Sequence, residues 1–216
     1  MLSLGVLVSG TGTNLQAILD ACAARRIDAR VAVVISNVPG VKALERASAS
    51  GVPSKVIDHQ SFSTREAFEE ALLFALRSAK VDLVCLAGFM RLLTGRFLSE
   101  YPLKVINIHP ALLPSFPGIH AHRQALDYGV RISGCTVHFV DEGTDSGPVI
   151  IQAAVPVLDS DDEASLAQRI QAEEHRIYPQ AIDLIARGKV KVVGRRVIVD
   201  NGDAAGSLAS PPISRT

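Results

Sequence analysis

The stretch Val105-Ile-Asn-Ile-His-Pro110 sets an amide, Asn107, and an imidazole, His109, two residues apart at the end of an apolar run. On an extended chain that spacing puts both on one face. A buried strand face is costly for such groups unless they are hydrogen-bonded or used. His109 taken alone reads as a polar group bonded into the loop that follows; its pairing with Asn107 at a strand end favours chemistry. That loop, Ala111-Leu-Leu-Pro-Ser-Phe-Pro-Gly118, is stiffened by Pro114 and Pro117 in addition to Pro110. A carboxylate, Asp145, stands in the irregular segment Asp141-Glu-Gly-Thr-Asp-Ser-Gly-Pro148, whose glycines and acids between two strands mark a functional loop rather than a simple hairpin. Amide, imidazole and carboxylate together suit acyl chemistry on a carbonyl. Asn107 can donate to a developing oxyanion, protonated His109 can do the same or pass a proton, and Asp145 can keep the ring charged and accept the proton a nucleophile loses. No Ser or Cys stands out as a nucleophile, so direct transfer to an incoming group is expected rather than a covalent intermediate.

A second constellation lies near the N-terminus. Ser9-Gly10-Thr11-Gly12-Thr13-Asn14 joins an apolar run to a helical pattern. Glycines let backbone approach an anion, and a helix start points N–H groups at it, which makes a phosphate site; a tight turn that binds nothing would read alike. Only half of the dinucleotide fingerprint is present, because Leu15 occupies the third glycine position and Asn37 stands where a ribose-binding acid is expected. No Gly-Lys-Ser/Thr of a P-loop occurs. A mononucleotide or sugar phosphate is favoured over NAD or ATP.

These groups need elements to position them. Apolar runs at Leu4–Val8, Val31–Ile35, Val81–Ala87 and Lys104–Ile108 read as buried strands, with a shorter one at Pro53–Ile57. Helical spacing follows Leu15, Ile18, Leu19 and Cys22, then Val41–Ser50, then a helix opened by a Ser63/Glu66 capping box, then Thr94–Glu100. Late β-branched runs at Ile132–Val140 and Val149–Val157 precede a long helix, Ser165–Ala186, with a kink expected at Pro179, and a hairpin, Lys189–Asp200, around Gly194. The fold class is therefore α/β: a mainly parallel twisted sheet with helices on both faces, Rossmann-like in its N-terminal half, with antiparallel late strands. In such sheets ligands sit beyond the carboxyl ends of the strands, where Ser9–Asn14, Ser36–Asn37, Gly88–Arg91 and Asn107–Pro110 fall. One domain is expected over residues 1–200 and a disordered tail over 201–216.

The bulk numbers exclude several classes. Hydrophobic residues make up 48% and charged residues 20% of the 216, as in a globular protein rather than a disordered chain. Lys plus Arg and Asp plus Glu are 22 each, so nothing favours nucleic acid or an anionic membrane as a partner. Cys22, Cys85 and Cys135 are too few and too far apart for a disulfide framework or a metal knuckle, and no metal is expected. No segment reads as a signal peptide or a membrane span, which points to the cytoplasm.

Five stretches together resemble the glycinamide ribonucleotide transformylases, folate-dependent formyltransferases of purine biosynthesis: Val6–Ile18, Leu86–Leu93, Asn107–Gly118, Gly134–Gln152 and Glu173–Pro179. Asn-x-His-Pro-x-Leu-Leu-Pro followed by Asp-x-Gly-Pro is the most specific part. The resemblance implies formyl transfer from 10-formyltetrahydrofolate, as donor cosubstrate, to the amine of glycinamide ribonucleotide. It implies Asn107 and His109 at the oxyanion, Asp145 with His109 in the proton transfers, Gly12, Thr13 and Asn14 on the substrate phosphate, and Glu174 on the glycinamide end. Met90, Arg91, Leu92 and Leu93, with Asn107 and the Asp141–Asp145 loop, would border the folate; Arg65 would reach its glutamate tail. Glu174 has its own warrant, since it falls in register with Leu166, Ile170 and Ile177 on a face that should be apolar; an internal ion pair would satisfy it equally. Arg65 reads equally as a solvated arginine in a first helical turn. Ala111 departs from the Ser of many relatives, a change a backbone role would survive. His59, His120, His122, His138 and His175 receive no catalytic role, although His138 lies on the strand face beside the loop. A homodimer is compatible with all of this.

Other readings separate on sequence features. A deformylase of formyltetrahydrofolate would carry an N-terminal regulatory domain, whereas here the core pattern starts at residue 1. A methionyl-tRNA formyltransferase would add a C-terminal domain and a basic surface. A non-catalytic nucleotide-binding module would not need Asn107, His109 and Asp145 together. A nicotinamide oxidoreductase is disfavoured by Leu15 and Asn37.

Overall fold

The computed structural model describes residues 1–200 together with the backbone of Ala209–Ser210. Two compact units divide between Asn107 and Ile108. The expected disordered tail, 201–216, lies outside the described residues apart from that dipeptide.

The first unit alternates strands with helices: β1 (Leu2–Val8), α1 (Thr13–Ala23), β2 (Ala29–Ser36), α2 (Lys42–Ala49), β3 (Ser54–Val56), a 3-10 turn at His59–Ser61, α3 (Arg65–Ser78), β4 (Leu83–Leu86), α4 (Gly95–Glu100) and β5 (Val105–His109), whose last two residues enter the second unit. The strands run in the order β5-β4-β1-β2-β3, all parallel. Central β1 is buried from Ser3 onward, because its near-continuous apolar sequence has to be covered on both faces. Among the helix starts one expectation needs correcting. Thr64, not Ser63, caps α3, accepting from Ala67 N at 3.1 Å. The helix therefore begins a residue later, and Ala67 rather than Glu66 occupies the third position, where no carboxylate can reach back to close a capping box.

The second unit holds α5 (Ala121–Tyr128), β6 (Ile132–Phe139), β7 (Val149–Pro156), α6 (Glu163–Ala186), β8 (Val190–Val193), β9 (Arg196–Val199) and β10 (Ala209–Ser210). Strands β6 and β7 pair antiparallel, as their β-branched runs suggested, and β10 pairs antiparallel with β7. Helix α6 starts in a capping box between Asp162 and Ser165 and runs through Pro179 as one 24-residue helix packed on β6 and β7. Hairpin β8–β9 turns at Gly194. Helix α5 has no counterpart in the apolar periodicity. It is short, buries only Ala121 and Ala125, and shows itself in sequence only by the stop at Gly129, which takes the left-handed conformation. Cys85 and Cys135 are buried and Cys22 is half-buried; all three are free thiols. Among the described residues no helix is long and apolar enough to cross a membrane.

Candidate active site

In the first unit the turn after β1 forms one wall of a cavity of about 200 Å³, lined by residues 9–14 with Ala87, Gly88 and Met90. Gly12 makes the turn possible. Its φ of 71° is in the left-handed region, and a Cβ there would stand 2.7 Å from Ala43 Cβ and 2.9 Å from Ala43 Cα on α2. Helix α1 starts at Thr13 with no side-chain cap from Gly12, so its N-terminal dipole faces the turn. Gly10 O accepts from Ala43 N at 3.2 Å, and Arg46 Nε donates to Thr11 O at 2.9 Å. Thus α2 braces the loop at two points. The neighbouring wall is tied in by Ser9 Oγ, which accepts from Met90 N at 2.8 Å and donates to Asn37 Oδ1 at 2.6 Å. Asn37, the position where a ribose-binding acid was looked for, is buried in this internal network beside His59.

The strip after β4 carries the residues assigned to the folate. Met90, Arg91 and Leu92 are exposed, whereas the Leu93 side chain is buried. Arg65 donates to Leu92 O and lies 3.5 Å from buried Glu69, which in turn accepts from Thr94 N at 2.8 Å and from the Thr94 hydroxyl. The arginine is thus engaged with the backbone of the strip rather than simply solvated. Asn107 sits on β5 opposite Leu86 of β4, half-buried.

In the second unit, His109 ends β5 at 4% exposure. Its Nδ1 is 3.3 Å from Asp145 Oδ2, and its Nε2 is 2.8 Å from Phe116 O. Asp145 Oδ2 also accepts from Gly118 N at 2.7 Å, while Oδ1 lies 3.6 Å from His138 Nε2; the His138 Nδ1 is 2.9 Å from Phe139 O. Asp145 takes a positive φ of 50°, a conformation Asp tolerates better than most residues. The preceding loop is shaped by Asp141 Oδ1, which accepts from Ser146 Oγ at 2.6 Å and from Gly143 N at 3.2 Å.

The electrostatics pull in opposite directions. Burial holds the His109 ring below the ordinary histidine range, although the Phe116 carbonyl and the Asp145 carboxylate draw it back up. For Asp145 burial itself raises the pKa, but the hydrogen bond from His138, that from Gly118 N–H and the nearby imidazoles outweigh it and leave the carboxyl below its ordinary range. A carboxylate held below its ordinary range therefore faces the His109 ring at 3.3 Å, the pairing of groups that general acid–base work needs. Glu174 is buried on α6 in register with Leu166, Ile170 and Ile177, and close enough to Cys135 that its charge adds to burial in raising that thiol.

Each unit thus brings part of the predicted set together: Gly12, Thr13 and Asn14 in one, His109 and Asp145 in the other. Arg46, which holds Thr11, and Glu69, which holds Thr94, were missed. Nothing in their local sequence sets them apart from ordinary helix residues.

The formyl transferase family profile matches residues 3–182. A trifunctional purine biosynthetic protein adenosine-3 of Drosophila melanogaster is 53% identical over 85% of this chain, which spans only 14% of that protein's length. Phosphoribosylglycinamide formyltransferase of Escherichia coli is 45% identical over 87% of this chain and 88% of its own. The crystal structure of glycinamide ribonucleotide transformylase 1 from Symbiobacterium toebii superposes with a TM-score of 0.91 at 55% identity, covering 92% of this chain and 94% of that one. Matched by that profile over most of its length and by a relative of like length at 45% identity, this protein belongs to the formyl transferase family.

Proposed function

We propose that this chain transfers the formyl group of 10-formyltetrahydrofolate to the amine of glycinamide ribonucleotide, a step of purine biosynthesis carried out in the cytoplasm. The observation that carries the reading is the pairing of His109 Nδ1 with Asp145 Oδ2 at 3.3 Å, at the end of a strand that also presents Asn107.

The amine lone pair attacks the formyl carbon, and the carbonyl π pair moves onto oxygen. Asn107 donates to that oxyanion. His109 donates as well, exchanging the Phe116 carbonyl for a stronger, charged acceptor. The attacking nitrogen loses a proton to the Asp145–His109 pair. Collapse of the tetrahedral species expels N10 of the folate, which takes up a proton from the same pair, so no net proton is gained or lost. Gly12, Thr13 and Asn14 hold the phosphate, with the α1 dipole favouring the dianion. Glu174 receives the glycinamide end. Met90, Arg91, Leu92, Leu93, Asn107, Asp141 and Asp145 border the pteridine, and Arg65, which fixes the Leu92 carbonyl, serves the folate side of the site.

The test is consumption of 10-formyltetrahydrofolate with and without glycinamide ribonucleotide. Consumption that requires the ribonucleotide and yields its N-formyl derivative supports transfer. Equal consumption in its absence makes the chain a hydrolase and sinks the substrate assignment.

A further inference from the structure

The loop between His109 and Gly118 is poor in backbone donors, because Pro110, Pro114 and Pro117 have no N–H. Its conformation is fixed from outside at two places. Toward its end, Phe116 O faces His109 Nε2 at 2.8 Å and Gly118 N donates to Asp145 Oδ2 at 2.7 Å. Nearer its start it is gripped by two side chains of the antiparallel pair β6–β7. Thr136 Oγ1 donates to Ala111 O at 2.6 Å and accepts from Leu113 N at 3.1 Å. Gln152 Nε2 donates to Leu113 O at 2.8 Å and to Thr136 Oγ1 at 3.0 Å. Thr136 and Gln152 are directly opposed across the strands, and Thr136 is fully buried. Its hydroxyl gives one hydrogen bond and accepts two, which saturates it. A buried network satisfied to this degree rigidifies what it holds.

We propose that Thr136 and Gln152 are positioning residues for the His109–Asp145 pair. They fix Ala111 and Leu113 on a rigid sheet, and the short proline-stiffened run that follows delivers Phe116 O to the His109 ring and Gly118 N to the Asp145 carboxylate. Ala111 takes part only through its carbonyl, so the absence of a side-chain hydroxyl there leaves the grip intact. The inference rests on the formyl-transfer reading for its kinetic readout, and on the His109 ring itself for an independent one.

The experiment compares Thr136→Val, Thr136→Ser and Gln152→Leu in the full chain. Displacing a catalytic group by about an ångström can cost about a hundredfold in rate. Thr136→Val and Gln152→Leu should therefore lower kcat about tenfold to a hundredfold, leave KM for both substrates within about threefold, and move the ionisation in the kcat–pH profile. Thr136→Ser, which keeps the hydroxyl, should recover activity to within about threefold of the parent. In parallel, ¹⁵N NMR of the histidine rings should show an altered His109 titration in Gln152→Leu. If Thr136→Val does not fold, Gln152→Leu decides. Folded variants whose kcat stays within threefold, or that lose kcat and stability equally with no recovery in Thr136→Ser, overturn the proposal. If the parent chain fails to formylate the ribonucleotide, the functional reading falls separately; an unchanged His109 titration in Gln152→Leu then overturns the positioning role, and a changed one upholds it.

Discussion

Replacing Gly12 by Ala tests the phosphate cradle with a single methyl group. Two penalties follow from the structure. At φ 71° and ψ 34°, an Ala sits in the left-handed region at a cost of about 1–2 kcal/mol. Its Cβ would also stand 2.7 Å from Ala43 Cβ and 2.9 Å from Ala43 Cα, so the backbone of α2 must give way, and overpacking of this kind costs about 1–3 kcal/mol. A total of about 2–5 kcal/mol leaves a domain of ordinary stability folded. Gly40→Ala is the control, since Gly40 has φ 67° but a Cβ there meets nothing within 4 Å; it carries the backbone penalty alone. In the cradle, pushing the turn away from α2 misaligns the N–H groups of the α1 start. Loss of one hydrogen bond to a charged group is worth about 1.5–3 kcal/mol, so KM for the ribonucleotide should rise about tenfold to a hundredfold. KM for the folate should stay within about threefold. Initial rates with each substrate varied in turn, alongside thermal melts, measure all of this. A melting temperature that falls as expected while KM for the ribonucleotide stays within threefold would refute phosphate binding at Gly12.

Asp145→Asn keeps the shape and removes the charge beside His109; kcat should fall about a hundredfold to ten-thousandfold with an unchanged circular dichroism spectrum, and a loss under tenfold would remove Asp145 from the proton transfers. Asn107→Ala should lower kcat by at least about a hundredfold through the lost oxyanion donor, and normal turnover would sink that role. Stability should fall with acidification. Burial depresses His109 and His122 below 6.5, so below that pH the unfolded chain binds protons that the folded chain refuses, and stability is lost progressively as pH drops toward the folded values. Asp145, held below 3.8, adds a second loss as pH falls through its own depressed value. Denaturant midpoints across about pH 3 to 7.5 should show both, with a shallower upper slope in His122→Asn; a flat profile would contradict the burial of these rings.

Local physics made much of this protein legible in advance. The apolar runs of β1, β2, β4 and β5 read as strands covered on both faces, and the Gly-rich turn between β1 and α1 read as an anion site or as a tight turn that binds nothing. Asn107 and His109 shared a strand face by the two-residue period, and Glu174 betrayed itself as a carboxylate in an apolar register. These features depend on neighbours within a few residues. What tertiary structure decided depends on contacts the chain makes with itself at long separation. Asp145 meets His109 and His138 only because three separate segments converge, and Gly118 reaches it from 27 residues away. Gln152 holds Leu113 across 39 residues, and Arg46 holds Thr11 across 35. A half-buried Gln on a strand or an Arg on an amphipathic helix carries no periodic mark of the loop it supports. The shift of the α3 cap from Ser63 to Thr64, two adjacent hydroxyls with the same local chemistry, was likewise settled by where the folded chain turns. Residue types and spacing determined which groups were available; the sheet and its loops decided which of them face one another, because charge pairing and hydrogen bonding act through space and not along the chain.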